Sequence, residues 1–248
     1  MTNNLRPGSS RTRAVGSDWQ VATALAVVFA ASRAVGVLGP NGLRWLLPLG
    51  FTLMALAPFV LLERSGRRAI GLTRAQNPRI FVTAMVSGAV AAFACFALGY
   101  ALFGTTADNW FVTIASNYRQ VMDTTGWSTA RLHLIFTIPA LIFSPIGEEI
   151  FFRGYLQFAF ERRFSARIST IAECAAFGVV HVCHHGLLLA AGGVVFRPVS
   201  GSLWMLMMFG TALLFAYLRK TSGSLWPAIA AHACFNFVMN ITIFAYLW

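Results

Sequence analysis

Seven times along this chain a run of about twenty largely apolar residues recurs, and that repetition constrains the fold more than any other feature. About 20 such residues, coiled as an α-helix, cross the hydrocarbon core of a bilayer. The runs are Trp19 to Leu38, Leu43 to Leu62, Ile80 to Phe103, Leu132 through Gly147 and beyond, Ile171 to Ala191, Leu203 to Leu218, and Leu225 to the C-terminus. Within a bilayer the backbone must satisfy its own hydrogen bonds, so the segments are read as helices. The fifth run is interrupted by Glu173, His181, His184, His185 and Gly186, and Leu187 to Phe196 can form a further short or re-entrant span. The expectation is an all-α, polytopic transmembrane helical bundle of seven or eight spans. Composition agrees: 57% of the 248 residues are hydrophobic and 11% charged, against roughly 25% charged in soluble domains.

The net charge of +11 does not point to nucleic acid, because the basic residues fall in short clusters between apolar runs. Arg6, Arg11 and Arg13 precede the first run. Arg64, Arg67, Arg68, Arg74 and Arg79 follow the second, Arg162, Arg163 and Arg167 the fourth, and Arg219 and Lys220 the sixth. The alternate loops hold fewer: Arg44, then Arg119 and Arg131, then Arg197. Cytoplasmic loops carry the excess of Lys and Arg, which puts the N-terminus and the loop Glu63 to Arg79 in the cytoplasm and Thr105 to Ala130 outside. Residues 1–18 read as a disordered cytoplasmic arm, 19–130 as a variable transmembrane region and 131–248 as the functional core. The arginine-heavy basic set hints at a bacterial inner membrane. Arg33, near the outer end of the first run, is expected to snorkel to the surface. Cys95, Cys174, Cys183 and Cys234 all lie in apolar runs and read as buried thiols.

Ionisable groups inside spans are costly and mark functional sites by default. Here they concentrate in Pro145-Ile146-Gly147-Glu148-Glu149-Ile150-Phe151-Phe152-Arg153-Gly154. Glu149 and Arg153 are four apart and share a helix face. Glu148 is rotated by about 100°, so Arg153 can neutralise Glu149 and leave Glu148 free as a base. His181 lies in the fifth run, and His232 and Asn236 lie four apart in the seventh. A lone His or Asn in a membrane helix commonly serves as interhelical hydrogen-bonding glue. Depth suggests more. At about 1.5 Å per residue, His232 is about 10 Å and His181 about 15 Å from the cytoplasmic starts of their runs. Glu148 is about 24 Å from Leu132 and so about 6 Å from the inner edge. A shared site opening to the cytoplasm is therefore expected. His184 and His185 read as lining or interface residues, and His133 as interfacial.

The ordered triplet Glu148-Glu149-x-x-x-Arg153, Phe177-x-x-x-His181 and His232-x-x-x-Asn236 resembles the signature of the CAAX-protease and bacteriocin-processing (Abi) family, which includes the type II CAAX prenyl endopeptidases. Pro145, Phe152-Arg153-Gly154 and Gly223-Ser224-Leu225-Trp226 extend the resemblance, which covers roughly residues 138–240. It implies a membrane-embedded endopeptidase acting on a membrane-associated protein or peptide, in contact with lipid and not nucleic acid. It implies that Glu148 activates water, that His181 positions it, that His232 and Asn236 stabilise the oxyanion, and that Glu149 and Arg153 organise the site. A metal-free mechanism is favoured, because a catalytic zinc site keeps a separate base. Zinc held by Glu148, His181 and His232 is the alternative. A non-catalytic immunity or scaffold protein and a proton-coupled transporter are the rivals outside proteolysis. The transporter predicts repeated halves, and none is seen.

Overall fold

The structure is a computed structural model that describes residues 18–190 and 193–248. The expected disorder of the N-terminal arm falls on residues 1–17, outside that range. Among the described residues seven helical segments are long and apolar enough to cross a membrane. They are Trp19–Leu38 (α1), Asn41–Leu61 (a short 3-10 turn leading into α2, Leu46–Leu61), Ile80–Phe103 (α4), Thr129–Glu161, Ala166–Cys183, Pro198–Ser222 (α9) and Trp226–Leu247. The protein is an integral, multi-pass helical bundle. Its exposed side chains are those lipid solvates: Val60 is 83% exposed, and Val27, Phe93, Val179 and Leu206 also face outward.

Between spans lie two short helices, Arg64–Ala69 (α3) and Trp110–Arg119 (α5). Asn109 caps α5, its side chain accepting from the amide of Phe111 at 3.0 Å. That bond satisfies one of the orphan donors of a first turn.

The fourth span departs from the expected boundary. It is one unbroken helical rod of 33 residues, made of Thr129–Glu148 (α6), a π-helical stretch Glu149–Leu156, and Gln157–Glu161 (α7). Every residue of the π stretch is buried. Because the rod continues for thirteen residues past Glu148, that carboxylate lies about 20 Å from the rod's far end.

The fifth span also differs. It comprises Ala166–Val180 (α8) and a 3-10 turn to Cys183, and ends well before Ala191. Leu187 to Phe196 is not a further span. It is an antiparallel hairpin of Leu187–Ala190 (β1) and Gly193–Phe196 (β2), with Leu187 opposite Phe196. Gly186 at φ +118° and Gly193 at φ +116° supply left-handed backbone that a continuing helix could not use.

Packing follows small residues. The buried face of α4 is Ala84, Gly88, Ala92, Cys95 and Gly99, the small-residue stripe by which membrane helices approach closely. It packs on Trp226–Thr242 (α10). A Cβ at Gly88 would overlap the backbone carbonyl of Ala231.

Contacts between alternate connections define two ends of the bundle. At the arginine-rich end the amide of Leu225 donates to Gly71 O at 2.9 Å, Ser224 Oγ to Thr73 O at 2.7 Å, and Thr73 Oγ1 to Gly223 O at 3.1 Å. Ile70, Ser224 and Leu225 are buried there. At the opposite end, Arg44 donates to Gln120 at 3.2 Å, Thr113 Oγ1 meets His185 Nδ1 at 2.9 Å, and Arg197 pairs with Asp108 at 3.5 Å.

Candidate active site

Gly147, one residue before the carboxylate pair, lets α6 lie against α2. A Cβ there would overlap the carbonyl of Phe51. The switch from α to π winding follows at Glu149. Such π segments frequently occur at functional sites.

Arg153 Nη1 lies 3.3 Å from Glu149 Oε1, as the four-residue spacing predicts. Arg153 Nε also approaches Glu173 Oε2 of α8 at 3.8 Å. All three side chains are fully buried, and the guanidinium lies 4.0 Å from the centroid of Phe177. Glu173, which sequence reasoning noted only as an interruption of its span, thus completes the ion cluster.

Glu149 has a second role. Its Oε1 lies 2.8 Å from His232 Nδ1. An ionised carboxylate only accepts, so Nδ1 donates and the bond fixes the ring direction. The other nitrogen, Nε2, is thereby aimed at Glu148 Oε2, 3.6 Å away. The ring is further held by a stacked contact with Phe215 at 5.1 Å.

Glu148 is not left free. Its Oε1 is ion-paired with Arg33 of α1, and its Oε2 accepts from Ser144 Oγ at 3.3 Å. Arg33 is therefore not a snorkelling residue. It is 6% exposed, lies 5.2 Å from the centroid of Phe51, and donates from Nε to His184 Nε2 at 2.8 Å. Its partner is 115 positions distant in the chain, and spacing within one apolar run carries no trace of it. The available signal was the general cost of an arginine inside a span. Snorkelling explained that cost away, because Arg33 lies only five residues from the helix end.

The structure brings Glu148, Glu149, Arg153 and His232 into one connected group. His181 and Asn236 line the same cavity without a hydrogen bond to the carboxylates. His181 Nδ1 donates to Phe177 O at 2.7 Å, leaving Nε2 as the acceptor nitrogen, and Trp204 Nε1 donates to His181 O at 3.0 Å. Asn236 Nδ2 donates to Ala140 O at 2.8 Å. His184 and His185 separate. The first enters the site through Arg33. The second turns away to Thr113 and Trp110. Burial, and then nearby Arg197, push its imidazole down to about 4.

The cavity has a volume of about 500 Å³. Its lining is mostly apolar, with Arg33, Arg44, His181, His184, His232 and Asn236 among its polar members. Arg44, Asn117 and Val121 place its mouth at the end that carries the α1–α2 turn and α5. No lining residue comes from the connections at the arginine-rich end. The start of α1, where Trp19 meets Phe164, and this mouth lie at opposite ends of the bundle, whereas the sequence reading put the N-terminus and the opening on one side. Ile150, Leu225 and Ile229 pack together between the site and the arginine-rich end, which closes that route.

Among the described residues no three His, Cys, Asp or Glu are grouped to hold a metal ion. Both nitrogens of His232 face carboxylates, and a guanidinium already occupies one side of Glu148. The side chains as arranged do not fit a zinc site.

Residues 130–238 match the family described as type II CAAX prenyl endopeptidase Rce1-like. Every residue of the signature triplet lies inside the matched segment. No curated protein and no solved structure matches the chain.

Proposed function

The chain carries, over residues 130–238, an Rce1-like domain of the CAAX-type intramembrane proteases, and from that premise we propose that it hydrolyses a peptide bond of a membrane-associated protein with water activated by Glu148. The observation that carries the reading is the linked run Arg153, Glu149, His232, Glu148, of which His232, with the Glu148 partners Arg33 and Ser144, lines a cavity large enough for a short extended peptide.

Glu148 takes a proton from water. The new hydroxide oxygen bonds the scissile carbonyl carbon, and the carbonyl π pair becomes an oxyanion. Glu148 then returns the proton to the amide nitrogen as the C–N bond breaks. His181 Nε2, an acceptor facing the cavity, orients the water. Asn236 Nδ2 has one N–H beyond its bond to Ala140, and that donor serves the oxyanion together with the Nε2–H that His232 carries in its doubly protonated form. Arg153 and Glu149 hold the imidazole in place. Positioned donors of this kind act strongly where water is excluded. No step is routed through a metal.

The arginine distribution and the position of the mouth together support one topology. With the arginine-rich end in the cytoplasm, the cavity opens on the opposite membrane face, and the substrate segment enters from there. Comparison of membrane proteomes from cells carrying the wild type or Glu148→Gln tests the reading. Fragments that accumulate only with the wild type are expected. Identical fragment sets would refute it.

A further inference from the structure

Among the groups that touch Glu148, Arg33 comes from outside the matched segment, on α1. It is fixed by the carboxylate, by His184 Nε2 at 2.8 Å and by the face of Phe51, yet it lines the cavity beside His181, His232 and Asn236. Arg stays protonated. An uncompensated charge in such a place is costly, and general-base chemistry would create one. Once Glu148 has accepted a proton, it no longer neutralises Arg33.

We propose that Arg33 is a catalytic cation that is paired with Glu148 in the resting site and with the substrate oxyanion in the tetrahedral intermediate. This rests on the endopeptidase reading and deepens it. As the water O–H bond breaks and the O–C bond forms, one negative charge leaves the Glu148 carboxylate and one appears on the former carbonyl oxygen. The total is unchanged, and Arg33 is compensated throughout. When the C–N bond breaks, the proton passes to the leaving nitrogen and the original pair is restored. A guanidinium has five donors in a rigid fork. His184 takes the Nε–H, so the terminal N–H groups remain for carboxylate and oxyanion. His184 is thus a positioning residue.

The test uses the full chain in proteoliposomes, with solubilised membrane proteins of the expression host as probe and new N-termini counted by mass spectrometry. A synthetic peptide spanning the most strongly cleaved site then gives steady-state rates. Arg33→Ala is expected to lower kcat by about 10²–10³-fold, as for loss of one oxyanion donor, with KM changed by less than roughly threefold, because the interaction is made in the transition state. Arg33→Lys should keep more activity than Arg33→Ala. Added ethylguanidine should restore part of the Arg33→Ala rate, which a merely structural role would not permit. If Arg33→Ala does not accumulate, Arg33→Lys and Arg33→Gln, normalised to folded protein, carry the same comparison. Arg33→Ala at the wild-type rate while Glu148→Gln is silent would overturn the proposal and leave the endopeptidase standing. An effect confined to KM would overturn it in favour of substrate holding. Cleavage that persists unchanged in Glu148→Gln would overturn both.

Discussion

Replacing Arg153 with Met removes one cation from between two buried carboxylates while keeping most of the stem that packs on Phe177 and Phe215. Glu149 lies 3.3 Å and Glu173 3.8 Å from the guanidinium. At an effective dielectric of about 20 these separations correspond to roughly 5 and 4 kcal/mol of attraction. Desolvation of all three groups offsets most of that gain. The variant does not recover it, since both carboxylates stay buried without the cation between them, Glu149 keeping only His232 and Glu173 only the Cys174 thiol. Removing one member of a buried pair costs about 3–5 kcal/mol, and a loss in that range is expected here. The measurement is reversible unfolding in mixed micelles, followed by tryptophan fluorescence. Restoring neutrality should recover part of the loss, so the triple variant Arg153→Met, Glu149→Gln, Glu173→Gln should be more stable than Arg153→Met alone. Wild-type stability in the single variant would refute the argument that this cluster is held by charge compensation. So would a triple variant no better than the single one.

Three further outcomes are expected. Asn236→Ala should lower kcat by about 10²–10³-fold, and exhaustive chelation of the wild type should leave the rate unchanged; loss of activity on chelation with recovery on zinc would reassign the mechanism. In a cysteine-free background, Arg74→Cys should be labelled only from the cytoplasm and Asp123→Cys only from outside, and the reverse pattern would invert the orientation. Gly88→Leu should destabilise the bundle by about 3 kcal/mol by forcing α4 off α10, whereas Gly210→Ala, where no atom lies within 4 Å of a new Cβ, should be silent in the same unfolding assay.

The bundle was legible because lipid imposes length and apolarity on every span, and the ordered Glu, His and Asn positions fell into one matched domain. The Glu149–Arg153 pair was legible because both partners lie on one turn. What escaped notice has physical reasons of its own. The bond from Arg33 to Glu148 crosses between helices, and no periodicity within α1 encodes it. The fourth span was cut short because apolarity fades at Glu148, although the helix continues through a fully buried π stretch. The depth argument, which counted Glu148 from Leu132 alone, took no account of the thirteen helical residues beyond it. Leu187 to Phe196 is as apolar as a short span. Its Gly186 and Gly192-Gly193, followed by β-branched Val194 and Val195, carried the hairpin signal that apolarity masked.

The closed end has a consequence for the cell that keeps this protein in its membrane. If Glu148 activates water as proposed, water must reach it, and a hydrated path running from face to face would also conduct protons. Ile70, Ile150, Leu225 and Ile229, under the strap formed by Gly71 to Thr73 and Gly223 to Leu225, form a buried apolar layer at the arginine-rich end. On the proposed reading, such an apolar layer would let hydrolysis at Glu148 proceed without a hydrated path across the bilayer, so that the ion gradient is kept.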